Sequence, residues 1–373
     1  MPSRSTPRNT RRRYIILMTV VVFAIGGWSA LWAYASSRAG QGIDDWRAHE
    51  AADGRIFGCG SQAIGGYPFR IEVACSPATF EFQRTVPPAS VSIPRIHAAM
   101  QIYEPGLMIG EFEGPVQIGE TGKAAQFEAN WSLAQMSVRG LPTPERVSLV
   151  FDRPALERLA DGRRETAFAA RHLEIHGRPV AAEQAGKPGI ETGLRLEQGS
   201  FPALPAEAAR PIDAVIDAVL RGVNDFEPKP WRERVRELQA SGGRIEIKQA
   251  RVQQGDTIAV GTGSLGVTAA GYLDGELRVT VAGLDQFLHA IGADRELKTS
   301  PSMDKLAGAL DRLAPGLGNF ARDKVSANIG TGISALGQAA TLEGRPAVSL
   351  PLRFKDGAVF LGPLPLGRTP ALL

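Results

Sequence analysis

The chain has 373 residues, 43% of them hydrophobic and 22% charged, with a formal net charge of +3. Its 42 glycines and 26 prolines stay below the roughly 25–30% of Gly and Pro that marks low-complexity chains, which excludes wholesale disorder. Two cysteines are too few for a disulfide-dense miniprotein or a four-cysteine zinc site. Five scattered histidines leave little material for a metalloenzyme.

The positive charge lies in a short N-terminal tail. Residues 1–13 hold five arginines and no acidic residue, and without them the chain carries a slight excess of acid. A basic tail of this size is no argument that the body binds nucleic acid, so we expect no nucleic-acid partner.

Residues 14–36 contain no charged side chain and are long enough to cross a bilayer as a helix. Aromatic rings cluster at the far end of this run, where they favour the membrane interface; they are Trp28, Trp32 and Tyr34. By the positive-inside rule, the preceding arginines hold the N-terminus in the cytoplasm. We therefore predict a single-pass protein of the bacterial inner membrane whose bulk lies in the periplasm.

A cleaved signal peptide is the alternative for the same segment, because Ala33-Tyr34-Ala35 resembles a cleavage site. The apolar core of a signal peptide usually runs roughly 7–15 residues, and this one is longer, which favours a retained anchor. Both interpretations export everything after residue 37.

Export gives the two cysteines a role, because an oxidising compartment favours a disulfide between them. Cys59 and Cys75 lie 16 residues apart, without the C-x-x-C spacing of redox-active pairs. Cys75 falls on the apolar side of an alternating strand over 69–75. Antiparallel pairing of the two cysteines would centre a turn at Gly65-Gly66-Tyr67-Pro68. We predict a structural disulfide that closes a β-hairpin.

Short segments of alternating apolar and polar residues dominate the chain from about residue 55 to 200, which is typical of antiparallel sheet with one dry face. Further alternating segments follow in 242–284 and 348–367. Asp274-Gly275 and Asp356-Gly357 are predicted hairpin turns, since this dipeptide tolerates the positive φ of a type I′ turn. The predicted strands of the first stretch lie at 69–75, 96–102, 112–118, 127–133, 147–151, 173–175 and 194–196.

Apolar residues at helical spacing predict three helices that cap the sheet, at 205–223, 228–240 and 302–320. Residues 283–292 also keep helical periodicity. The predicted fold class is α+β, with a curved antiparallel β-sheet, groove-like or folded over, preceded by one transmembrane helix. The predicted organisation is a cytoplasmic tail (1–13), a transmembrane anchor (14–36), a juxtamembrane helix (37–54) and a periplasmic domain (55–373) with a helical insert at 205–241.

Two patterns resemble chemical motifs but favour plain structure. Gly261, Gly263 and Gly266 match G-x-G-x-x-G, yet strand-like residues follow where a dinucleotide site needs a helix, so we predict glycines in a curved sheet. His172, Glu174 and His176 share one strand face, which is compatible with metal binding, but no convincing fourth ligand lies nearby in the sequence. We predict a solvated face there and no metal.

Three common catalytic patterns are absent from the sequence: it has no G-x-S-x-G elbow, no Walker A motif and no H-E-x-x-H. We therefore predict a protein without enzymatic activity and without a cofactor. A periplasmic enzyme whose site forms only in three dimensions is the less favoured alternative.

Three segments carry a resemblance: GYPFRIEVAC at 66–75, ARHLEIHGRP at 170–179 and the terminal LPLRFKDGAVFLGPLPLG. With the N-terminal anchor, they resemble an uncharacterised family of bacterial envelope proteins, known as a domain of unknown function. The segment GTGSLGVTAAGYLDGELRVTVAGL is more distantly similar to strand units of AsmA- and TamB-like proteins. This second resemblance implies a long curved sheet with an apolar groove and a role in moving phospholipid or supporting outer-membrane assembly.

These observations together predict lipid handling or envelope assembly through an apolar groove in the sheet. The expected partners are the inner membrane and either phospholipid acyl chains or another envelope protein. The alternative is a structural or scaffolding partner of another envelope protein, without a ligand of its own. The predicted groove residues are Phe69, Ile71, Val73, Phe127, Trp131, Leu133 and Val279.

Overall fold

The computed structural model describes residues 10–141, 143–182, 187–202, 209–223, 225–226, 229–284, 337–361 and 364–373. The chain divides into two compact units, unit 1 (Met1–Ala124) and unit 2 (Ala125–Leu373). The described residues form unclosed, curved antiparallel sheet with two helices, one of them apolar and N-terminal. The predicted fold class is confirmed.

Unit 1 begins with one long helix, α1 (Thr10–Ala52), of 43 residues. The predicted anchor and the predicted juxtamembrane helix are therefore parts of a single helix, because no proline interrupts the segment. The helix is long and apolar enough to cross a membrane. It is followed by Gly54, whose φ of 76° lets the chain reverse into the first strand.

The strands of unit 1 pair around a central hairpin. They are β1 (Arg55–Gly65), β2 (Arg70–Phe82), β3 (Ala89–Ile93), β4 (Arg95–Gln101), β5 (Glu104–Glu113) and β6 (Val116–Glu120). β1 pairs with β2, whose other edge pairs with β4 and then β3; β5 joins β4, and β6 joins β3.

The predicted disulfide is present, with the Cα atoms of Cys59 and Cys75 5.6 Å apart. The predicted register was wrong, because Cys59 lies opposite Ala78 and Cys75 lies opposite Gln62. The turn consequently lies one residue later in the chain than the predicted turn at residues 65–68. It spans residues 66–69, and the Arg70 N–H donates to the Gly66 carbonyl at 3.1 Å.

Unit 2 contains a helix, α2 (Trp231–Ala240), and fifteen described strands. The strands are β7 (Ala125–Asn130), β8 (Leu133–Arg139), β9 (Arg146–Asp152), β10 (Ala155–Ala160), β11 (Arg163–Ala169), β12 (His172–Val180), β13 (Gly189–Gly199), β14 (Ile212–Arg221), β15 (Arg244–Gln254), β16 (Thr257–Val267), β17 (Leu273–Ala282), β18 (Gln338–Leu342), β19 (Arg345–Lys355), β20 (Ala358–Leu361) and β21 (Leu364–Arg368).

Nine of these strands are antiparallel neighbours in the order β8-β9-β12-β13-β14-β15-β16-β17-β19, which we call the main sheet. β18 and β20 pair with the free edge of β19. A smaller group of strands has the order β7-β10-β11.

The predicted helix at 205–223 was wrong where the structure describes it, because β14 occupies 212–221. Ile212, Ile216 and Leu220 recur every four residues, a spacing that satisfies both a helix face and a strand face. Pairing on both edges, with β13 and β15, selects the strand. The next predicted helix is present as α2. The predicted helix at 302–320 lies outside the described residues, and so do residues 285–292 of the predicted helical stretch at 283–292.

One of the two predicted Asp-Gly turns is correct. Asp356 and Gly357 have φ of 51° and 77° and join β19 to β20. Asp274-Gly275 instead lies inside β17, with Gly275 opposite Leu265, and the preceding turn is closed by the Thr268 N–H donating to the Tyr272 carbonyl at 2.8 Å.

Candidate functional site

The main sheet has one face on which apolar residues stand opposite one another from strand to strand. Residues that are directly opposite in antiparallel strands point to the same face, so the register defines rows that cross the sheet. The first row, called the first apolar rung, is Met136, Leu149, Ile175, Leu194, Ile216, Ala250, Gly261, Val279 and Leu350.

A second apolar rung runs beside the first on the same face. Neither rung contains a polar side chain, and eight strand spacings of about 4.8 Å give each a length of roughly 38 Å. The members of the second rung are Ala134, Phe151, Leu173, Leu196, Ala214, Val252, Ala259, Val281 and Val348.

The opposite face of the main sheet is largely polar and holds a series of ion pairs. The Arg251 guanidinium donates to both carboxylate oxygens of Glu343, at 2.6 and 2.9 Å, and this contact raises the pKa of Arg251 and lowers that of Glu343. Arg195 and Glu197 form another pair at 2.7 Å. Such exposed pairs add little stability, but they keep this face hydrated.

Two apolar clusters cover parts of the rung-bearing face. Where α2 packs on the sheet, Leu238 of the helix is buried with Ile190 and Val223. Near the β17 and β19 edge, Leu284 packs against Val281 and Leu350.

The first rung keeps partial exposure between these clusters. Leu149, Leu194 and Ile216 are half-buried, and Ile175 retains 36% of its surface. The main sheet is therefore amphipathic, with an accessible apolar row on one face and a charged surface on the other.

Two of the predicted groove residues lie on the rung-bearing face of unit 2. Val279 is a member of the first rung, opposite Gly261 and Leu350. Trp131 packs edge-on against Phe151 of the second rung, with ring centroids 5.5 Å apart.

Leu133 and Phe127 lie elsewhere, because the predicted strand at 127–133 is divided. The Ser132 N–H donates to the Asp152 carbonyl at 2.9 Å, which starts β8 on a new partner. Leu133 is opposite Asp152 and so lies on the polar face of the main sheet. Phe127 lies in β7, opposite Arg158 of β10.

The remaining candidates belong to unit 1, on the side of the β1–β2 hairpin that α1 covers. Val73 is opposite Ile64, whose Cδ1 lies against Gly40 of α1. Ile71 is two residues away on the same face and is 5% exposed. Phe69 contacts Trp28 of α1, with ring centroids 6.2 Å apart. These three residues contribute to packing between the helix and the hairpin.

A family model described as an uncharacterised protein conserved in bacteria, DUF2125, matches residues 32–370. The chain belongs to this family. The predicted membership of an uncharacterised bacterial family is thereby confirmed. No curated protein matches the chain.

The rungs of this DUF2125 member were only partly visible in the sequence. Leu149, Ile175 and Leu194 lie in or beside predicted strands, and alternation alone puts each on an apolar face. Ile216 was assigned to a helix, so the centre of the rung was missed. The signal that identifies a rung is the register between strands, which depends on distant segments.

The histidine strand of the DUF2125 chain forms a linear chain of polar contacts. His172 meets Asp152 through Nδ1 at 2.6 Å and Glu174 through Nε2 at 2.9 Å. The Nε2 of His176 lies 3.4 Å from the same Glu174, and its Nδ1 lies 2.9 Å from the Ser148 hydroxyl. Within the described residues, no three acidic, histidine or cysteine side chains are arranged to hold a metal ion.

These contacts predict a pH-dependent contribution to stability. Glu174 and then Asp152 raise the pKa of His172 above 6.5, and His172 lowers the pKa of Glu174 below 4.5. The raised pKa gives stability that is complete below pH 6.5 and is lost as the pH rises through the folded-state pKa. The lowered pKa gives stability that is present above pH 4.5 and is lost in stronger acid.

His172→Gln is therefore expected to lower the free energy of unfolding by about 0.5–1 kcal/mol near pH 5.5, and by less near pH 9. Thermal unfolding of the full-length protein in detergent at the two pH values measures this difference. The double variant His172→Gln/Glu174→Gln should lose most of the dependence. A larger effect of His172→Gln at pH 9 would contradict the assignment.

The glycine motif of β16 is plain strand, as predicted. Gly261, Gly263 and Gly266 lie opposite Val279, Leu277 and Asp274 of β17, so no helix follows them. Gly330, the first residue of a looser match to the same pattern, lies outside the described residues.

Proposed function

We propose that this DUF2125 protein handles lipid in the bacterial envelope, held in the inner membrane by α1 and accepting acyl chains on the rung-bearing face of unit 2 in the periplasm. The observation that carries this proposal is the pair of unbroken apolar rungs across nine strands. Each methylene that leaves water for such a surface contributes about 0.8 kcal/mol.

The side chains in the middle of the rungs are small. Ala250 and Gly261 are small and lie between the larger Ile216 and Val279. In the second rung, Ala259 sits beside Gly261 on the same face. Small residues between larger neighbours leave a shallow trough along β15 and β16, in which an acyl chain would contact side chains on both sides.

The contacts of α1 support a retained anchor over a cleaved signal. Cleavage after Ala35 would remove Trp28 and Trp32, whose indole N–H groups donate to the carbonyls of Pro68 and Arg70 at 2.7 and 2.8 Å. The disulfide supports exposure of unit 1 to an oxidising compartment, which for a bacterial inner-membrane protein is the periplasm.

The resemblance of 261–284 to AsmA- and TamB-like strand units, which stays a prediction from the sequence, is consistent with this proposal, since β16 and β17 contribute to both rungs. That similarity implies transport of phospholipid or support of outer-membrane assembly. A protein ligand on the same face is the competing outcome and corresponds to a scaffolding role.

Site-specific photo-crosslinking tests the proposal in full-length protein in living bacteria. A photoreactive amino acid at Ile216 should form adducts with metabolically labelled lipid. The matched control is Val215, the preceding residue on the polar face, which is 41% exposed and should give little adduct. Equal labelling from both positions would contradict binding on the rungs.

Filling the trough provides a second arm of the same experiment. A Cβ atom at Gly261 would meet only ordinary contacts, the nearest being Val279 Cγ2 at 3.8 Å. Gly261→Leu is therefore expected to fold and to reduce the lipid adduct from Ile216 by occupying the trough. An undiminished lipid adduct from Ile216 in this variant would contradict lipid binding in the trough.

A further inference from the structure

The turn between β1 and β2 is attached to the membrane-spanning part of α1. Besides the two indole contacts described above, the Ser29 and Tyr67 hydroxyls hydrogen-bond at 2.9 Å. Trp32 packs edge-to-face on Tyr67, with centroids 5.5 Å apart. The turn therefore has a fixed position beside residues 28–32 of the helix.

The chain reaches this level because β1 runs back along α1. Trp46 and Phe57 stack near the end of the helix, with centroids 4.5 Å apart, and Ile64 lies against Gly40 further back. At 1.5 Å per residue, Ala52 to Trp32 is about 30 Å of helix. The 11 residues of β1, at about 3.3 Å each, cover a similar distance.

The position of the bilayer follows from the uncharged run that starts at Tyr14. A hydrocarbon core of about 30 Å takes about 20 helical residues, which ends near residue 33. Trp28 and Trp32 thus fall in the last turns of the span, where indole rings favour the interface. The β1–β2 turn lies at the same depth.

The composition of the turn suits this depth. No charged residue occurs between Ile56 and Phe69. Tyr67 and Phe69 expose 51% and 61% of their surfaces. The first charged residue after the turn is Arg70, in an ion pair with Glu72.

The β4–β5 turn lies next to the β1–β2 turn. Its Ile102 N–H donates to the Phe69 carbonyl at 3.0 Å. The adjoining Tyr103 is 68% exposed. Two neighbouring turns therefore present three exposed aromatic rings at the level of the membrane interface.

We propose that the β1–β2 turn and the β4–β5 turn insert into the interfacial layer of the bilayer, with Tyr67, Phe69 and Tyr103 among the lipid headgroups. Burial of these rings in the interface would hold unit 1 against the membrane surface at a fixed height. The inference rests on α1 as the anchor and not on lipid handling by unit 2.

Depth-dependent quenching tests this insertion with full-length protein in nanodiscs of phosphatidylcholine brominated on its acyl chains. A fluorescent amino acid replaces Tyr103, Phe23 or Val86, one per sample. Phe23 lies within the predicted span and is 76% exposed, so it reports on the anchor. Val86 is 98% exposed and lies near the other end of α1, where the Gln83 N–H donates to the Gly54 carbonyl.

The expected result is strong quenching at position 23, clear quenching at position 103 and none at position 86. Quenching at 23 with equal, negligible values at 103 and 86 would overturn the insertion while leaving the anchor intact. No quenching at 23 would overturn the anchor and the insertion together. A label at Phe69 should repeat the result for Tyr103, which separates insertion from a local effect of one substitution.

Discussion

Cys59→Ser is expected to lower the free energy of unfolding of the oxidised protein by about 2–4 kcal/mol, because the disulfide limits the conformations of the unfolded chain. The bond joins residues 16 positions apart and crosses the hairpin on which α1 packs. Thermal or denaturant unfolding of the full-length protein in detergent measures the effect.

The double variant Cys59→Ser/Cys75→Ser provides the control. It should match the single variant, and a reductant should bring the wild type to the same stability. An unchanged melting temperature, together with two titratable thiols in the wild type, would show that no structural disulfide forms.

The second large effect is expected where α1 meets β1. Glu50, in the last turn of the helix, pairs with Arg55, and their side chains are only 10% and 16% exposed. The contact with Glu50 is the main cause of the raised pKa of Arg55. Glu50→Ala would leave the guanidinium half-satisfied in a largely buried place, which is costly.

The expected loss for Glu50→Ala is about 2–3 kcal/mol. It stays below the roughly 3–5 kcal/mol of a fully buried pair because Asp53 still faces Arg55 at 3.2 Å. Asp44→Ala is the matched control on the same helix, since Asp44 is 74% exposed in its pair with Arg47 and should cost less than about 0.5 kcal/mol. Equal effects of the two substitutions would contradict a buried junction.

Local patterns in the sequence predicted much of the fold. The uncharged apolar run, which is longer than the apolar core of a signal peptide, predicted the membrane-spanning part of α1. The alternation of apolar and polar residues predicted most strands. The two cysteines gave the disulfide, and Asp356-Gly357 gave a turn, because in both cases the chemistry is local. The prediction divided the long helix after residue 36. The glycines within α1 do not interrupt it, so the two predicted segments form one helix.

The failures arise where distant pairing decides between two local solutions. Ile212, Ile216 and Leu220 fit a helix or a strand equally well, and the edges of β13 and β15 select the strand. Asp274-Gly275 has the chemistry of a turn but is held inside β17 by its partners in β16.

The candidate site was recovered only in part for the same reason. Alternation marks Val279 as apolar-facing but says nothing of what stands opposite it. The apolar run through Phe127 and Leu133 continues in sequence while the strand does not, so Phe127 lies in the β7-β10-β11 group and Leu133 lies in the main sheet. A rung is a property of nine strands together, and no window of the sequence contains it.

The measurement that tests the central claim most directly is the intact mass of the protein crosslinked from Ile216 in living cells. Binding of acyl chains on the rungs predicts mass increments of phospholipid size, present at Ile216 and nearly absent at Val215. Increments of protein size at Ile216 would assign the rungs to a partner protein and contradict lipid handling. An unchanged mass after irradiation would show that the rung-bearing face is occupied by neither.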